Sequence, residues 1–278
     1  GELAFSLRQF ALAEKAYLKV LDYGKTNEFY PKALSKLGWT YYQQYMYKEA
    51  VAQFIALLDL KIGSNMRYLH YAESSPLFSA GDRELVEDTF RVISLSLFTA
   101  EKGASLEDFI TNYPNKPYEA QLFQTLGQLY VDRDRVTDAS AIYKRYIALH
   151  PKDPQAVLFN IRILEAYEKG RYAKLTLEAK EQFVSQFHFN QAYWRRDETQ
   201  ALKAQVEPYL KKHMQELARH YHAVAQKSKD PADYTIAEKW YRLFVDIFTD
   251  DALAPSMHFL MAEALMESNQ IEKAAGEY

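Results

Sequence analysis

Histidines are the residues of this chain best able to bind a metal ion or to exchange protons near neutral pH. The chain has 7 of them, and the densest group is His213, His220 and His222. On a helix, His220 and His222 point about 200° apart, so they cannot hold one ion together. His213 and His220 share a helix face but lie two turns apart, which is too far for the usual metal-binding pair. The spacing therefore predicts structural or solvated histidines and no metal site.

Acidic pairs and nucleophile motifs would be the other signs of catalysis. Glu87-Asp88 and Asp250-Asp251 are typical of solvated helix faces and of helix N-termini, where negative charge is stabilised. The sequence contains no His-Glu-x-x-His, no Gly-x-Ser-x-Gly and no glycine-rich phosphate loop. It also has 0 cysteines, which excludes thiol catalysis, disulfides and cysteine-ligated zinc. We therefore expect no catalytic residue, no cofactor and no enzymatic activity.

A tryptophan followed by two arginines, Trp194-Arg195-Arg196, has the composition of a protein-binding anchor. Tryptophan and arginine are enriched among the residues that dominate the binding energy of interfaces. The alternative is that Trp194 packs between helices while both arginines remain solvated. The sequence leaves both interpretations open, and the segment is a candidate surface anchor.

The composition indicates helices joined by short turns. In 278 residues there are only 9 glycines and 9 prolines, and no apolar run approaches the roughly 18 residues of a membrane span. The net charge of −3 does not favour a nucleic-acid partner, which usually requires a basic surface. Gly1-Glu2-Leu3 is not a natural start, so we expect the numbering to begin inside a longer protein whose targeting segment is missing.

One pattern of apolar and small residues occurs twice with the same internal spacing. Its members are Leu37, Gly38, Tyr41, Ala50 and Phe54 in the first copy, and Leu126, Gly127, Tyr130, Ala139 and Tyr143 in the second, with Pro151 closing the second copy. These residue types at these offsets are those of the tetratricopeptide repeat of 34 residues, and the chain resembles that family. Weaker copies are marked by Ala13 and Tyr17, by Leu164, Ala173 and Leu177, by Ala237 and Tyr241, and by Leu265, Ala274 and Tyr278, with a degenerate pair of helices between residues 84 and 113.

The resemblance implies an all-α fold, a right-handed superhelical α-solenoid of helix-turn-helix repeats. We expect about fourteen helices in a single domain over residues 1–278, with partial repeats at both ends and insertions near 62–83 and 188–217. The first insertion is either part of a binding face or a longer connector packed on the convex side. In the second, Pro208 is expected to start a new helix.

Gly38 and Gly127 need a physical reason, because glycine inside a helix costs about 1 kcal/mol relative to alanine. We expect small residues such as Gly38 and Ala50 to lie where the two helices of the repeat approach closely, with Tyr41 and Phe54 filling the space around the crossing. A bulky residue in place of either glycine would then overpack the contact and cost about 1–3 kcal/mol.

In the tetratricopeptide family, first-helix residues line a concave groove that binds peptides or partner proteins. With repeats counted from residues 31, 120, 154 and 255, the candidate groove residues are Ser35, Trp39, Tyr42, Gln43, Gln124, Gln128, Asp132, Phe159, Arg162, Phe259 and Glu263. Aromatic, amide and charged groups on rigid helices suit an extended peptide. For Trp39 and Phe159, packing against a neighbouring repeat is the alternative.

Two narrower comparisons bear on the partner and the compartment. Family members that bind chaperone C-termini use lysine and asparagine where this chain has Ser35, Trp39, Gln124 and Gln128, so a chaperone adaptor is not expected. The phrases at 110–130 and 244–278 are similar to those of periplasmic and outer-membrane-associated tetratricopeptide proteins of Gram-negative bacteria. This predicts a scaffold in the cell envelope, with a lipid anchor in the missing N-terminus as one option. A cytoplasmic regulatory protein and a self-assembling spacer are the alternatives.

Overall fold

The computed structural model describes residues 1–63, 79–99 and 105–277, and all regular secondary structure in these ranges is helical. This confirms the all-α class. The α-helices are α1 Glu2–Ser6, α2 Phe10–Leu21, α3 Tyr30–Gln43, α4 Tyr47–Ile62, α5 Ala80–Thr99, α6 Leu106–Asn112, α7 Glu119–Asp132, α8 Val136–Leu149, α9 Ala156–Lys169, α10 Ala173–Phe187, α11 Asp197–Gln200, α12 Lys203–Ser228, α13 Pro231–Ile247, α14 Ala254–Glu267 and α15 Ile271–Glu277. Most of the insertion predicted at 62–83, and Tyr278, lie outside the described residues. None of the described helices combines the length and the hydropathy of a membrane span.

The chain forms two compact units, unit 1 from Gly1 to Tyr143 and unit 2 from Lys144 to Tyr278. The prediction of one continuous domain stays a prediction. Within each unit, helices pack on their neighbours in chain order, as expected of a tetratricopeptide-like solenoid.

In unit 1, α2 packs on α1 and α3, α4 packs on α3 and α5, and α5 also packs on α7. The helices associate because each buries an apolar stripe at helical spacing, such as Ala33, Leu34, Leu37 and Tyr41 on α3. In unit 2, α10 packs on α9 and α12, and α13 packs on α12 and α14. Helix α12 also contacts α9 and α14, so α9, α12 and α14 lie side by side.

Several of the helical hairpins share one turn geometry, which allows their positions to be compared. One residue with left-handed backbone lies two positions after the first helix, and the second helix begins two positions later. That residue is Tyr45 between α3 and α4, Asp134 between α7 and α8, Arg171 between α9 and α10, and Asn269 between α14 and α15. Non-glycine residues rarely adopt this conformation, so its recurrence marks equivalent positions.

The positions of these left-handed turn residues correct the predicted alignment of the third copy. Asp134 and Arg171 are 37 positions apart, three more than a 34-residue repeat allows. Ala173, predicted to be the buried small residue of α10, is its first residue and is exposed. The equivalent of Ala50 is instead Thr176, which is 9% exposed.

Glycines lie at the crossing of two of these hairpins. Gly38 is the ninth residue of α3, and a Cβ added to it would stand 2.7 Å from Cζ of Phe54. A Cβ on Gly127, the ninth residue of α7, would overlap Cε1 and Cζ of Tyr143. Phe54 and Tyr143 are each 1% exposed and each is the eighth residue of its own helix. An aromatic side chain therefore occupies the space that glycine leaves open.

Prolines lie at the start of three of the described helices. Pro31, Pro231 and Pro255 occupy the first or second position of α3, α13 and α14. The missing N–H of proline costs little there, because the first N–H groups of a helix have no acceptor within it. Pro208 departs from this rule, since it lies inside α12 and does not begin a helix. Pro208 is the sixth residue of α12, so its missing N–H leaves the carbonyl of Ala204 without its usual helical donor.

Candidate functional site

A group of aromatic side chains surrounds Trp39 in unit 1. Trp39 and Tyr42 meet edge to face with centroids 5.6 Å apart, and Tyr42 meets Tyr47 at 5.5 Å. Tyr45, which is 80% exposed, lies 6.3 Å from Tyr47. We call Trp39, Tyr42, Tyr45 and Tyr47 the aromatic strip. The guanidinium of Arg91, from α5, lies over the Trp39 ring at 5.8 Å, so three helices, α3, α4 and α5, contribute to this surface.

The other residues predicted for the groove of unit 1 differ in accessibility. Ser35 is 9% exposed, whereas Gln43 and Gln128 are exposed and Gln124 is half-buried. The side-chain amide of Gln128 donates to Asp132 Oδ1 at 2.8 Å. These residues therefore provide exposed amide and carboxylate groups on α3 and α7, while Ser35 contributes to the helix packing.

In unit 2, Arg162 belongs to a polar surface shared by α9 and α12. Its Nη1 lies 3.2 Å from Glu165 Oε2, and the hydroxyl of Tyr209 donates to Glu165 Oε1 at 3.1 Å. Phe159 is in the core instead, 3% exposed and stacked on Tyr146 with centroids 4.2 Å apart. The three extra residues before α9 explain this, because they move the inward-facing positions along the helix.

Phe259 and Glu263 lie on α14. The Phe259 side chain is 50% exposed and Glu263 is half-buried. The structure therefore leaves a large apolar ring and a carboxylate accessible one helical turn apart, as a partner-binding role would require.

Trp194 is buried and is not a surface anchor. It is 3% exposed, its indole N–H donates to the Phe187 carbonyl at 2.6 Å, and its ring meets Phe189 at 5.3 Å. Burying an indole is favourable only when its N–H has such a partner. Arg195 remains exposed, and Arg196 forms a salt bridge with Glu198 at 2.5 Å. The packing alternative is therefore the correct one for this segment.

A cluster of charged residues joins three helices of unit 2. Lys180 of α10 is 14% exposed, and its Nζ lies 3.0 Å from Glu168 of α9 and 2.8 Å from Glu216 of α12. Lys212 also reaches Glu168 at 3.3 Å, and His213 Nδ1 lies 3.0 Å from Glu216. We call these five residues the Lys180 cluster.

Electrostatics keep Glu168, Lys180 and Glu216 ionised at neutral pH. Burial raises the pKa of Glu216, but hydrogen bonds from Lys180 and His213 outweigh it and hold the pKa below its usual value. Glu168 follows the same pattern, with burial opposed by Lys180 and Lys212. Burial lowers the pKa of Lys180, while its hydrogen bonds to both carboxylates raise it above the usual value. Burial lowers the pKa of His213 despite Glu216, so this imidazole is neutral near pH 7.

This cluster contains the set of side chains most suited to a metal among the described residues. Ligand-type atoms of Glu168, His213 and Glu216 all lie within 4.8 Å of one another. The ammonium of Lys180, however, already contacts both carboxylates and supplies the positive charge that an ion would bring. The arrangement is therefore that of an ion-pair network between helices.

Two features of these surfaces were not predicted from the sequence. Arg91, which covers Trp39, is 52 positions away in a helix that matches the repeat pattern poorly. The Lys180 cluster draws residues from positions 168, 180 and 212–216, which share no local spacing. One sign of the cluster was present in the sequence. Lys180 is the eighth residue of α10, where α4 and α8 have Phe54 and Tyr143, but the three-residue shift in register concealed this equivalence.

Comparison with known proteins adds little to this description. No family model matches the sequence, and no curated protein matches it. Among solved structures, the chain is similar to the C-terminal part of a TPR repeat-containing protein from Cytophaga hutchinsonii. The two chains are 13% identical, with a TM-score of 0.36, over 92% of this chain and 97% of the other. The description of the fold therefore depends on the helix pairing within each unit.

Proposed function

We propose that this protein is a non-enzymatic scaffold that binds peptide segments of partner proteins through the first helices of its hairpins. In unit 1 the binding surface comprises the aromatic strip, with Gln43 beside it and Gln128 and Asp132 on α7. In unit 2 it includes Arg162, Phe259 and Glu263. Protein partners are favoured over nucleic acid because the chain has a net charge of −3.

The observation that carries this proposal is the state of Trp39. It is a large aromatic side chain on a rigid helix, held edge to face by Tyr42 and covered on one side by Arg91, yet only half-buried. Such pre-ordered aromatic and arginine side chains are those that dominate binding at interfaces, because little conformational entropy is lost when a partner is bound.

A peptide selection tests the proposal. Random peptides displayed on phage are selected against the wild-type chain, resynthesised with a fluorophore, and titrated by fluorescence anisotropy. Trp39→Ala should weaken the selected peptides by about tenfold or more, the loss typical of a binding hot spot. Circular dichroism should show unchanged helix content, because Trp39 is not in the closed part of the core.

Tyr23→Ala is the matched control. Tyr23 is 72% exposed in the connection between α2 and α3. The substitution therefore removes an exposed aromatic ring that does not belong to the strip. Affinity should not change in this variant. A selection that yields no peptide, or peptides that bind Trp39→Ala as tightly as wild type, would contradict the proposal. Arg162→Ala provides the equivalent test for unit 2.

We further propose that the scaffold works in the envelope of a Gram-negative bacterium, either periplasmic or held at the outer membrane by a lipid on a preceding segment. The support is the similarity of residues 110–130 and 244–278 to envelope proteins of the tetratricopeptide family. Fractionation of cells that express the full-length gene is the direct test. Recovery of the protein in the cytoplasm would favour the regulatory alternative instead.

A further inference from the structure

An open groove lies beside the Lys180 cluster in unit 2, and its lining includes none of Arg162, Phe259 and Glu263. It has a volume of about 720 Å³ and runs between α10, α12 and the end of α9. Thr176, Leu177 and Leu217 form its floor, and Arg171, Lys174 and His220 stand at its rim. The floor is mainly aliphatic, whereas every one of these three rim residues carries or can carry positive charge.

The groove exists because of the residue at one repeat position. Lys180 is the eighth residue of α10, equivalent to Phe54 in α4 and Tyr143 in α8, whose rings fill their crossings. The ninth residue of α9 is Leu164, at the position where the other two hairpins have Gly38 and Gly127. Lacking a ring to fill the space, Lys180 extends to Glu168 and Glu216, and the surface beside it stays open.

The acidic groups of the groove are already neutralised, so its available charge is positive. Glu168 and Glu216 are both paired with Lys180. At the rim, Lys174 stands 3.9 Å from Glu178 with its side chain 90% exposed, which is a weak pair. Arg171 forms no salt bridge with any residue that the structure describes. Its guanidinium is free to form a paired hydrogen bond with a carboxylate.

We propose that this groove binds an acidic segment of a partner protein, with an aliphatic side chain of that segment on the Leu177 floor and a neighbouring carboxylate on Arg171. The inference rests on the proposed scaffold function and assigns it a second surface with a defined partner chemistry. Arginine is suited to this role because its planar fork matches a carboxylate, and the aliphatic contact adds the affinity that an exposed ion pair lacks.

A set of synthetic peptides tests the assignment. The probe is a short fluorescein-labelled peptide with leucine flanked on both sides by glutamates. Its two analogues replace the glutamates by glutamine or the leucine by serine. Measured by anisotropy, the probe should bind wild type, and each analogue should bind about tenfold more weakly. Equal affinity of the serine analogue would mean that the rim attracts any polyanion, and equal affinity of the glutamine analogue would remove the role of charge. Either result overturns the proposal.

Blocking the groove locates the binding. Because the chain has 0 cysteines, Ala173→Cys introduces a single thiol at the groove and Lys152→Cys a single thiol elsewhere on the surface of unit 2. Alkylation with a bulky maleimide should abolish probe binding at position 173 and leave it unchanged at position 152. Each protein is compared before and after alkylation, with circular dichroism to verify folding. Binding that survives alkylation at position 173 overturns the assignment.

Two point variants separate this proposal from the scaffold function itself. Arg171→Gln removes the charge but keeps a long polar side chain, and it should weaken the probe about tenfold, whereas Lys152→Ala should not change its affinity. Trp39→Ala should leave the probe unaffected, because Trp39 lies in unit 1. Equal binding by Arg171→Gln contradicts the groove proposal alone, and loss of the selected peptides with Trp39→Ala remains a test of the aromatic strip.

Discussion

The hairpins α3/α4 and α9/α10 have the same turn and first helices of the same length. They differ in the residues at the position where their two helices cross. In α3/α4, Gly38 faces the ring of Phe54, which is 1% exposed. In α9/α10, the equivalent residues are Leu164 and Lys180. In the first pair the side-chain volume at the crossing comes from one helix alone. In the second pair one helix contributes an aliphatic side chain and the other a charged one.

The difference shows how one position can decide whether a surface is closed or open. An aromatic ring on glycine excludes water and makes the contact rigid, because both helices meet at a buried, close-packed point. A lysine in the same place directs its charge outward to acids on neighbouring helices, and a groove forms beside it. The closed crossing contributes stability, and the open one provides a surface on which a partner could bind.

The largest expected effect comes from filling a closed crossing. Gly127→Leu introduces a side chain where even a Cβ would overlap the ring of Tyr143. Leucine has better helix propensity by nearly 1 kcal/mol, but overpacking a buried contact costs more. We expect a net loss of about 2 kcal/mol and a melting temperature lower by about 5 °C, measured by calorimetry. An unchanged melting temperature would mean that the crossing is not close-packed.

Removing the charge from the open crossing should have a smaller effect. Lys180→Met keeps the aliphatic chain but leaves Glu168 and Glu216 without their shared partner. Hydrogen bonds between charged groups contribute about 1.5–3 kcal/mol when buried. Because the Glu216 side chain is 39% exposed, water replaces part of that interaction, and we expect a loss of about 1 kcal/mol by urea denaturation. A stabilised variant would show that the desolvation of the cluster outweighs its attraction.

The pH dependence distinguishes the two crossings further. The folded pKa values of Glu168 and Glu216 are held below the usual value, so their stabilising contribution is present above about pH 4.3 and is lost as the pH falls through the folded pKa. In Lys180→Met the part of this contribution that Lys180 supplies is absent, while Lys212 and His213 still contact the carboxylates. The difference in stability between wild type and variant should therefore shrink as the pH is lowered from 6 towards 3. A difference that stays constant over this range would show that the carboxylates do not depend on Lys180.

The sequence predicted the closed crossings because their geometry is local. Gly38 and Phe54, like Gly127 and Tyr143, lie within one hairpin at a fixed spacing, and a helix-weakening glycine indicates close approach without any coordinates. The class of the fold followed from the same pattern. Three helix starts, those of α3, α13 and α14, coincide with a proline, which tolerates few other positions in a helix.

The open crossing could not be predicted in the same way. Three extra residues between α8 and α9 shift the register, so counting in steps of 34 assigned Ala173 and Leu177 to positions that Thr176 and Lys180 occupy. Phe159 was placed in the groove by the same error. The partners of Lys180 come from separate helices, and their meeting depends on tertiary packing that spacing along the chain does not encode.

The smallest effect is expected for a glycine that lies at no crossing. Gly81 is in the first turn of α5, and a Cβ added there would meet nothing within 4 Å. Gly81→Ala should therefore stabilise the protein by about 0.5 kcal/mol, the gain from reduced backbone entropy in the unfolded chain. The melting temperatures of Gly81→Ala and Gly127→Leu are measured by calorimetry. Their comparison shows whether the effect depends on the position of the glycine or on glycine as a residue type. If both substitutions lowered the melting temperature, glycine would be required for its backbone freedom in general, and the closed crossings would lose their distinct role. Opposite signs would assign the effect to the aromatic ring that Gly127 faces and Gly81 does not.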